Sequence, residues 1–237
     1  MTVRLVDCRP REAYDAGHVP EAVHLDPETE LSSLPADPAD GGRHPLPDPH
    51  ALAALFARGG IGPDTFVLAY DDGSGWAARC WWLLRHLGHD RAGTLDVRGY
   101  EGPLSTDVPR VARAPFVARV REDDMAEMDE LRARLDDPRL VLLDARAPER
   151  WRGDTEPLDP VAGRIPGARN AYFLEPLPDD VLDAPELVVY CGSGVSAAPV
   201  VQRLVLAGRA DARLYPGSFS EWCRDPSNPI ERGDPKT

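Results

Sequence analysis

The chain has almost no lysine. Of its 27 basic side chains a single one, Lys236, is a lysine and the rest are arginines. Schiff-base chemistry is thereby nearly excluded, because that one amine stands in a polar terminal stretch. Cysteine is scarce as well. Cys8, Cys80, Cys191 and Cys223 are too few and too scattered for a disulfide scaffold. No two have the spacing of a structural zinc site, so no metal is expected. No run of 18 apolar residues occurs, so nothing is expected to span a membrane. The opening Met-Thr-Val-Arg-Leu-Val-Asp lacks an apolar core and a cleavage motif. That predicts no secretory signal and a cytoplasmic location. Positive charge is outnumbered: the net charge is -13. An acidic surface repels nucleic acid and anionic membranes, so neither is expected as a partner.

What is present is an internal repeat within 237 residues, enough for two small domains. Leu5-Val6-Asp7-Cys8-Arg9 is echoed by Leu142-Leu143-Asp144-Ala145-Arg146. His18-Val19-Pro20-Glu21-Ala22 is echoed by Arg164-Ile165-Pro166-Gly167-Ala168. Phe66-Val67-Leu68-Ala69-Tyr70-Asp71 meets Leu187-Val188-Val189-Tyr190-Cys191, and each is followed by a Gly/Ser turn and a helical stretch, Ala77–Leu87 and Ser196–Ala207. Leu95-Asp96-Val97-Arg98-Gly99-Tyr100 corresponds to Leu214-Tyr215-Pro216-Gly217-Ser218-Phe219. Four landmarks in one order, twice, indicate duplication. Alternating strands and helices predict an α/β fold in which each half is a mostly parallel sheet with helices on both faces.

The proline-rich Gly102–Pro115 reads as a linker, which puts the domains at 1–108 and 116–237. The second half is expected to open with a strand, Phe116–Val120. A helix is then expected from the acidic Glu122-Asp123-Asp124 to about Leu135, its carboxylates suiting the positive end of the dipole. The first half carries an insertion instead, Gly41-Gly42-Arg43-His44-Pro45-Leu46-Pro47.

The segment with most chemistry is Tyr190-Cys191-Gly192-Ser193-Gly194-Val195-Ser196-Ala197. A cysteine ends a buried strand, two glycines follow, and a helix starts. Ligand sites in open α/β sheets lie at the carboxyl ends of strands. Glycines let backbone amides turn toward one point, and the helix start adds partial positive charge. Each effect favours an anion at the sulfur, so Cys191 is read as a nucleophile rather than an inert core cysteine. Cys8, Cys80 and Cys223 read as core or surface. Cysteine phosphatases need an arginine separated from the cysteine by five residues, but Ala197 stands there.

The repeated halves and this loop resemble the tandem-domain rhodanese-family sulfurtransferases. Asp144-Ala145-Arg146, Arg150-Trp151-Arg152-Gly153, Ile165-Pro166-Gly167-Ala168 and Gly217-Ser218-Phe219-Ser220-Glu221-Trp222 extend the resemblance over nearly the whole chain. The loop is most similar to that of the 3-mercaptopyruvate sulfurtransferases, with Ser196 where threonine is usual. The resemblance implies transfer of a sulfane sulfur through a Cys191 persulfide, with no cofactor. A small-molecule sulfur donor and a thiol or thioredoxin-like acceptor are the implied partners. It also implies an inactive N-terminal domain, where Asp71 replaces the cysteine.

By motif position Arg150 is expected to bind a substrate carboxylate, against the alternative of a surface ion pair. The family's second substrate arginine is missing from Asp154-Thr155-Glu156-Pro157-Leu158-Asp159-Pro160, and Arg164 is offered in its place. Amides of Gly192, Ser193, Gly194, Val195, Ser196 and Ala197 are expected to hold the sulfur anions. The Ser193 and Ser196 hydroxyls could help, although Ser196 reads equally as a helix cap. His18 either fixes a turn or forms a proton relay with Ser193, oriented by Asp15 or Asp7. Arg79 is expected in an interdomain ion pair, and Trp81 and Trp82 in packing. A thiosulfate:cyanide sulfurtransferase, a noncatalytic rhodanese-like binding module and a dual-specificity phosphatase are the alternatives.

Overall fold

The computed structural model describes residues 2–234. Lys236 lies outside them. The chain divides into two compact units. The first gathers the residues up to Ser33 and Leu46–Arg121, and the second gathers Leu34–Pro45 and the residues from Glu122 onward.

In the first unit the strands are β1 (Thr2–Asp7), β2 (Val23–His24), β3 (Thr65–Tyr70) and β4 (Ala92–Thr94). All pair parallel in the order β2-β1-β3-β4. In the second they are β5 (Leu140–Asp144), β6 (Arg169–Asn170), β7 (Glu186–Tyr190) and β8 (Arg213–Leu214), parallel in the order β6-β5-β7-β8. Parallel neighbours need crossovers, and helices supply most of them. The crossover helices are α1 (Arg11–Ala16), α2 (Pro49–Arg58) and α3 (Trp76–His86), then α5 (Pro148–Arg152) and α6 (Ala197–Leu206), while α4 (Met128–Ala133) precedes β5 and α7 (Ser218–Trp222) follows β8. Every residue of α3, including Arg79, Trp81 and Trp82, is buried.

The duplication extends to individual hydrogen bonds. Arg9 donates its amide to Asp7 at 2.9 Å and its guanidinium to Asp7 and to the Gly17 carbonyl. Arg146 does the same with Asp144 and the Gly163 carbonyl. The Tyr70 hydroxyl accepts from the Val19 amide at 3.1 Å, and the Tyr190 hydroxyl from the Ile165 amide at 3.1 Å. These side chains satisfy buried backbone groups just past the strand ends, so both halves preserve them.

Three expectations need correction. Residues 116–120 form no strand. The amides of Arg119 and Arg121 donate instead to the Leu87 and His86 carbonyls at the end of α3, so this stretch runs against the first unit. The acidic Glu122-Asp123-Asp124 starts no helix. The Asp124 carbonyl accepts from the Leu214 amide, Ala126 donates back to Leu214, and α4 begins only at Met128. Of the insertion read as part of the first half, Gly41 to Pro45 departs from it, since Leu34–Pro45 packs with the second unit, whereas Leu46 and Pro47 stay with the first.

An ionic network ties α4 to the sheet. Arg134 donates to Glu186 at 2.6 Å, Asp137 at 2.8 Å and Glu130 at 3.0 Å. Arg213 donates to Glu130 at 2.6 Å and also to Glu186. Hydrogen bonds from Arg213 and Arg134 hold the Glu130 and Glu186 carboxyls below the usual range. A carboxylate with a lowered folded pKa stabilises the fold above its unfolded pKa, and that stability disappears as pH falls through the folded value. The thermal midpoint should therefore be flat near neutrality and fall below about pH 4. Glu186→Gln should lower neutral stability by about 0.5–1 kcal/mol, because the pair is partly solvated, and should flatten the acid fall. Melting curves of both proteins between pH 3 and 7 check this; an equal acid slope in the variant would contradict it.

Candidate active site

Strand β7 lies between β5 and β8, and Cys191 is the first residue past its carboxyl end. The next turn is fixed from below by the start of α7. The Cys191 amide donates to Ser218 Oγ at 3.1 Å. The Cys191 and Gly192 carbonyls accept from the Phe219 and Ser220 amides at 3.0 and 2.9 Å. Ser218 holds φ at +56°, a strained value for a residue with a Cβ, and its hydroxyl also donates to the Tyr215 carbonyl at 2.9 Å. Gly194, at φ +80°, then turns the chain so that the Ser193 and Gly194 amides face the Cys191 sulfur, at 3.4 and 3.1 Å. Helix α6 starts at Ala197 and carries Pro199 in its first turn, where a missing amide leaves no helical bond unmade. Ser196 takes the cap position without a side-chain cap bond. Cys191 is buried, so its sulfur sits in a pocket of amide dipoles.

The equivalent place in the first unit is filled differently. Asp71 follows β3, and its carboxylate accepts from the amides of Gly73 at 2.7 Å and of Gly75 and Ala77 at 2.9 Å. The carboxylate itself occupies the anion position. It can neither attack a sulfur nor carry one. The other thiols are shielded: burial raises Cys8 well above the ordinary thiol value and pushes Cys223 up to about 11.

The rim of the Cys191 loop is built by Leu34–Pro45. Gly42, at φ +82°, runs against the Gly217 carbonyl so closely that a Cβ would lie 2.4 Å from its oxygen. The Gly41 amide donates to Glu221, and the Arg43 amide donates to Ser220 Oγ at 3.0 Å. This seats His44 with Nδ1 2.7 Å from Ser193 Oγ. It also aims Arg43 at the loop: a Cβ on Gly192 would lie 2.9 Å from Arg43 Nη2 and 3.4 Å from Arg150 Nη2. Arg150 comes from α5 and is held by Glu156 at 2.7 Å. Arg43 and Arg224 both donate to Asp159 Oδ1, and Arg150 lies 3.7 Å from its Oδ2.

Two expected residues are elsewhere. Arg164 is buried and donates to Glu231 and the Gly233 carbonyl, both at 2.6 Å, with its guanidinium 4.2 Å from the Trp151 ring centre. Both of its Nη groups bond within the protein, to Trp151, Gly233 and Glu231, so it does not supply the missing cation. His18 stacks on Tyr14, and its two ring nitrogens lie 2.9 and 3.1 Å from the Tyr14 and Asp107 carbonyls. Its proposed orienters are engaged too, Asp7 by Arg9 and Asp15 by Arg11. The histidine on Ser193 is His44, and the second guanidinium beside Arg150 is that of Arg43. Sequence reasoning missed both. The one available signal was a Gly-Gly-Arg-His-Pro cluster in a long loop, the kind of segment that carries functional residues.

Comparison with known proteins agrees with this geometry. Residues 1–102 and 127–225 match the family described as "Rhodanese-like domain". The chain is 40% identical over 249 residues to a Pseudomonas aeruginosa protein named "Probable 3-mercaptopyruvate sulfurtransferase", covering 93% of this chain and 86% of that one. It is also 40% identical over 250 residues to a Mycobacterium tuberculosis protein named "Putative thiosulfate sulfurtransferase SseB", covering 93% and 85%. The crystal structure of Tum1 from Saccharomyces cerevisiae shares the fold, with a TM-score of 0.78 at 18% identity over 99% of this chain and 93% of that one. No helix among the described residues is long and apolar enough to cross a membrane. The chain belongs to the rhodanese family and is a sulfurtransferase of two tandem rhodanese-like domains that works between a small-molecule sulfur donor and an acceptor.

Proposed function

We propose that the chain transfers sulfur from 3-mercaptopyruvate, with Cys191 as nucleophile and carrier. The names of its relatives point to both mercaptopyruvate and thiosulfate, so the donor has to be argued from the site. The carrying observation is the 2.7 Å contact between His44 Nδ1 and Ser193 Oγ beside the sulfur. The Cys191 thiolate attacks the sulfur of mercaptopyruvate, the carbon–sulfur bond breaks, and its electron pair leaves on carbon as the enolate of pyruvate. The proton on the donor thiol must reach that carbon to give pyruvate, leaving Cys191 as a persulfide anion. A hydroxyl–imidazole pair is suited to carry it. Thiosulfate releases sulfite instead, with no proton transfer to carbon. The Ser193 and Gly194 amides hold the sulfur anions, and Arg150 takes the substrate carboxylate.

An acceptor thiolate then attacks the outer sulfur, forms its own persulfide and releases the Cys191 thiolate. A thioredoxin-like dithiol fits this step. All four cysteines are free thiols, which suits the cytoplasm. Asp71 leaves one carrier per chain.

Incubation with mercaptopyruvate should raise the intact mass by one sulfur atom, and Cys191→Ser should abolish the gain. A gain that persists in the variant, or no gain with the native protein, would refute the assignment. His44→Ala should lower kcat with mercaptopyruvate by about 100-fold while changing thiosulfate turnover far less. Equal losses with both donors would point to thiosulfate chemistry and a structural histidine. Arg150→Met should raise the KM for mercaptopyruvate. Arg164→Met should instead destabilise the fold by about 2 kcal/mol with KM unchanged, as its bonds to Glu231 and Gly233 are lost. Steady-state kinetics and melting curves separate the two.

A further inference from the structure

We propose that the first unit binds a small aromatic anion in a cavity at the amino ends of β3 and β4, with Arg91 and Arg119 as its charge partners. The site is separate from the Cys191 loop, which belongs to the second unit.

The cavity has a volume of about 410 Å³, and its lining belongs entirely to the first unit. Pockets of that volume take small organic molecules. Three segments enclose it. Gly62 and Pro63 lead into β3, residues 88–91 join α3 to β4, and residues 115–119 pass across. Strands β3 and β4 are parallel, so this is the end of the sheet opposite the Asp71 turn. The crossing stretch is pinned on both sides. Ala114 donates its amide to the Ala57 carbonyl at 3.0 Å, and a Cβ on Gly62 would lie 3.1 Å from the Ala114 Cβ. Arg119 donates to the Leu87 carbonyl at 2.9 Å. Gly88, at φ +80°, comes so close that a Cβ there would stand 3.0 Å from the Arg119 carbonyl oxygen. Between the two pins, residues 115–118 make no backbone hydrogen bond among the described residues. The stretch spans the gap instead of filling it.

The charge of the walls selects an anion. Arg91 and Arg119 both line the cavity and are exposed, and neither guanidinium has a hydrogen bond or ion pair among the described residues. The lining carboxylate, Asp90, is already paired with Arg121 at 2.7 Å. Positive charge is thus in excess here, in a chain whose net charge is -13. The other walls suit a flat apolar body. Phe116 is half-buried with its ring centre 5.8 Å from that of His89, and Pro63, Pro115 and Val117 stand beside it. His89 is itself only 8% exposed, and its Nε2 has no partner. A buried polar atom left unpaired costs free energy that a hydrogen-bonding ligand would recover. Burial pushes the His89 imidazole below its ordinary value, so the ring is neutral at pH 7 and the positive charge comes from the arginines.

The probe is 8-anilinonaphthalene-1-sulfonate, a planar apolar body with one sulfonate, whose fluorescence rises on binding. N-phenyl-1-naphthylamine is its uncharged counterpart. The native chain should bind the sulfonate saturably. Arg91→Ala and Arg119→Ala should each raise its Kd by about tenfold, the worth of one charged hydrogen bond. The Kd of the neutral probe should hold in both variants. Their melting curves should match that of the native chain, because both side chains are exposed. Arg91→Lys and Arg119→Lys should keep part of the affinity and stand in should an alanine variant not fold. No saturable binding to the native chain, a sulfonate Kd unchanged in both variants, or equal losses for the charged and the neutral probe would each overturn the proposal.

Discussion

Each sheet delivers a turn whose amides point at one place, and something negative has to fill it. Backbone N–H groups withdrawn from water must be paired, and here they converge at the carboxyl end of β3 or β7. In the second unit the acceptor is the sulfur of Cys191, met by the Ser193 and Gly194 amides. In the first it is the carboxylate of Asp71, met by three amides between 2.7 and 2.9 Å. One backbone solution thus serves two ends. Sulfur leaves the site able to form a bond, whereas oxygen satisfies the same donors and ends the chemistry. Loss of the nucleophile need not cost the first unit its fold, because the replacement meets the requirement that the cysteine would have met.

The arginines divide along similar lines. Arg146 spends its donors on Asp144 and the Gly163 carbonyl and lies 4.0 Å from the Phe219 ring centre, and Arg164 is equally committed to Glu231, Gly233 and Trp151. Each is buried with its charge paired to a carboxylate. Arg43 and Arg150 share carboxylates with other arginines instead. A chain with one lysine gains from this: a guanidinium can be locked by a carboxylate on one edge and still offer a second edge, which an ammonium cannot do in a fixed direction.

The sequence made legible whatever was local. The Asp-x-Arg pairs, the tyrosines ending β3 and β7, and the turn after Cys191 are all read from residues a few places apart, and all recur in the structure. What stayed hidden depends on the route of the chain. His44 meets Ser193 across 149 positions, and no periodicity encodes that contact. His18 was the better candidate by motif, yet its ring is absorbed by two carbonyls and Tyr14. Local patterns also misled where the backbone found other partners. Phe116–Val120 has the composition of a strand, but the neighbouring Arg119 and Arg121 amides end on the carbonyls of α3. The acidic run before α4 has the composition of a helix start, but the Asp124 carbonyl is taken by Leu214.

The exchanged segment gives the duplication a consequence that sequence order conceals. Leu34–Pro45 lies within the first repeat by position and within the second unit by packing. It carries Arg43 and His44, while the other rim groups, Arg150 and Ser193, come from the second repeat. The second unit therefore cannot be separated at the linker without losing two of the side chains that face its own nucleophilic loop. A first repeat with no nucleophile still contributes twelve residues to the second unit, Arg43 and His44 among them. Retention of both halves follows from that loan even if only one half forms a persulfide. Gly42 marks where the constraint is tightest, since any side chain there would collide with the Gly217 carbonyl and lift Arg43 and His44 away from the sulfur together.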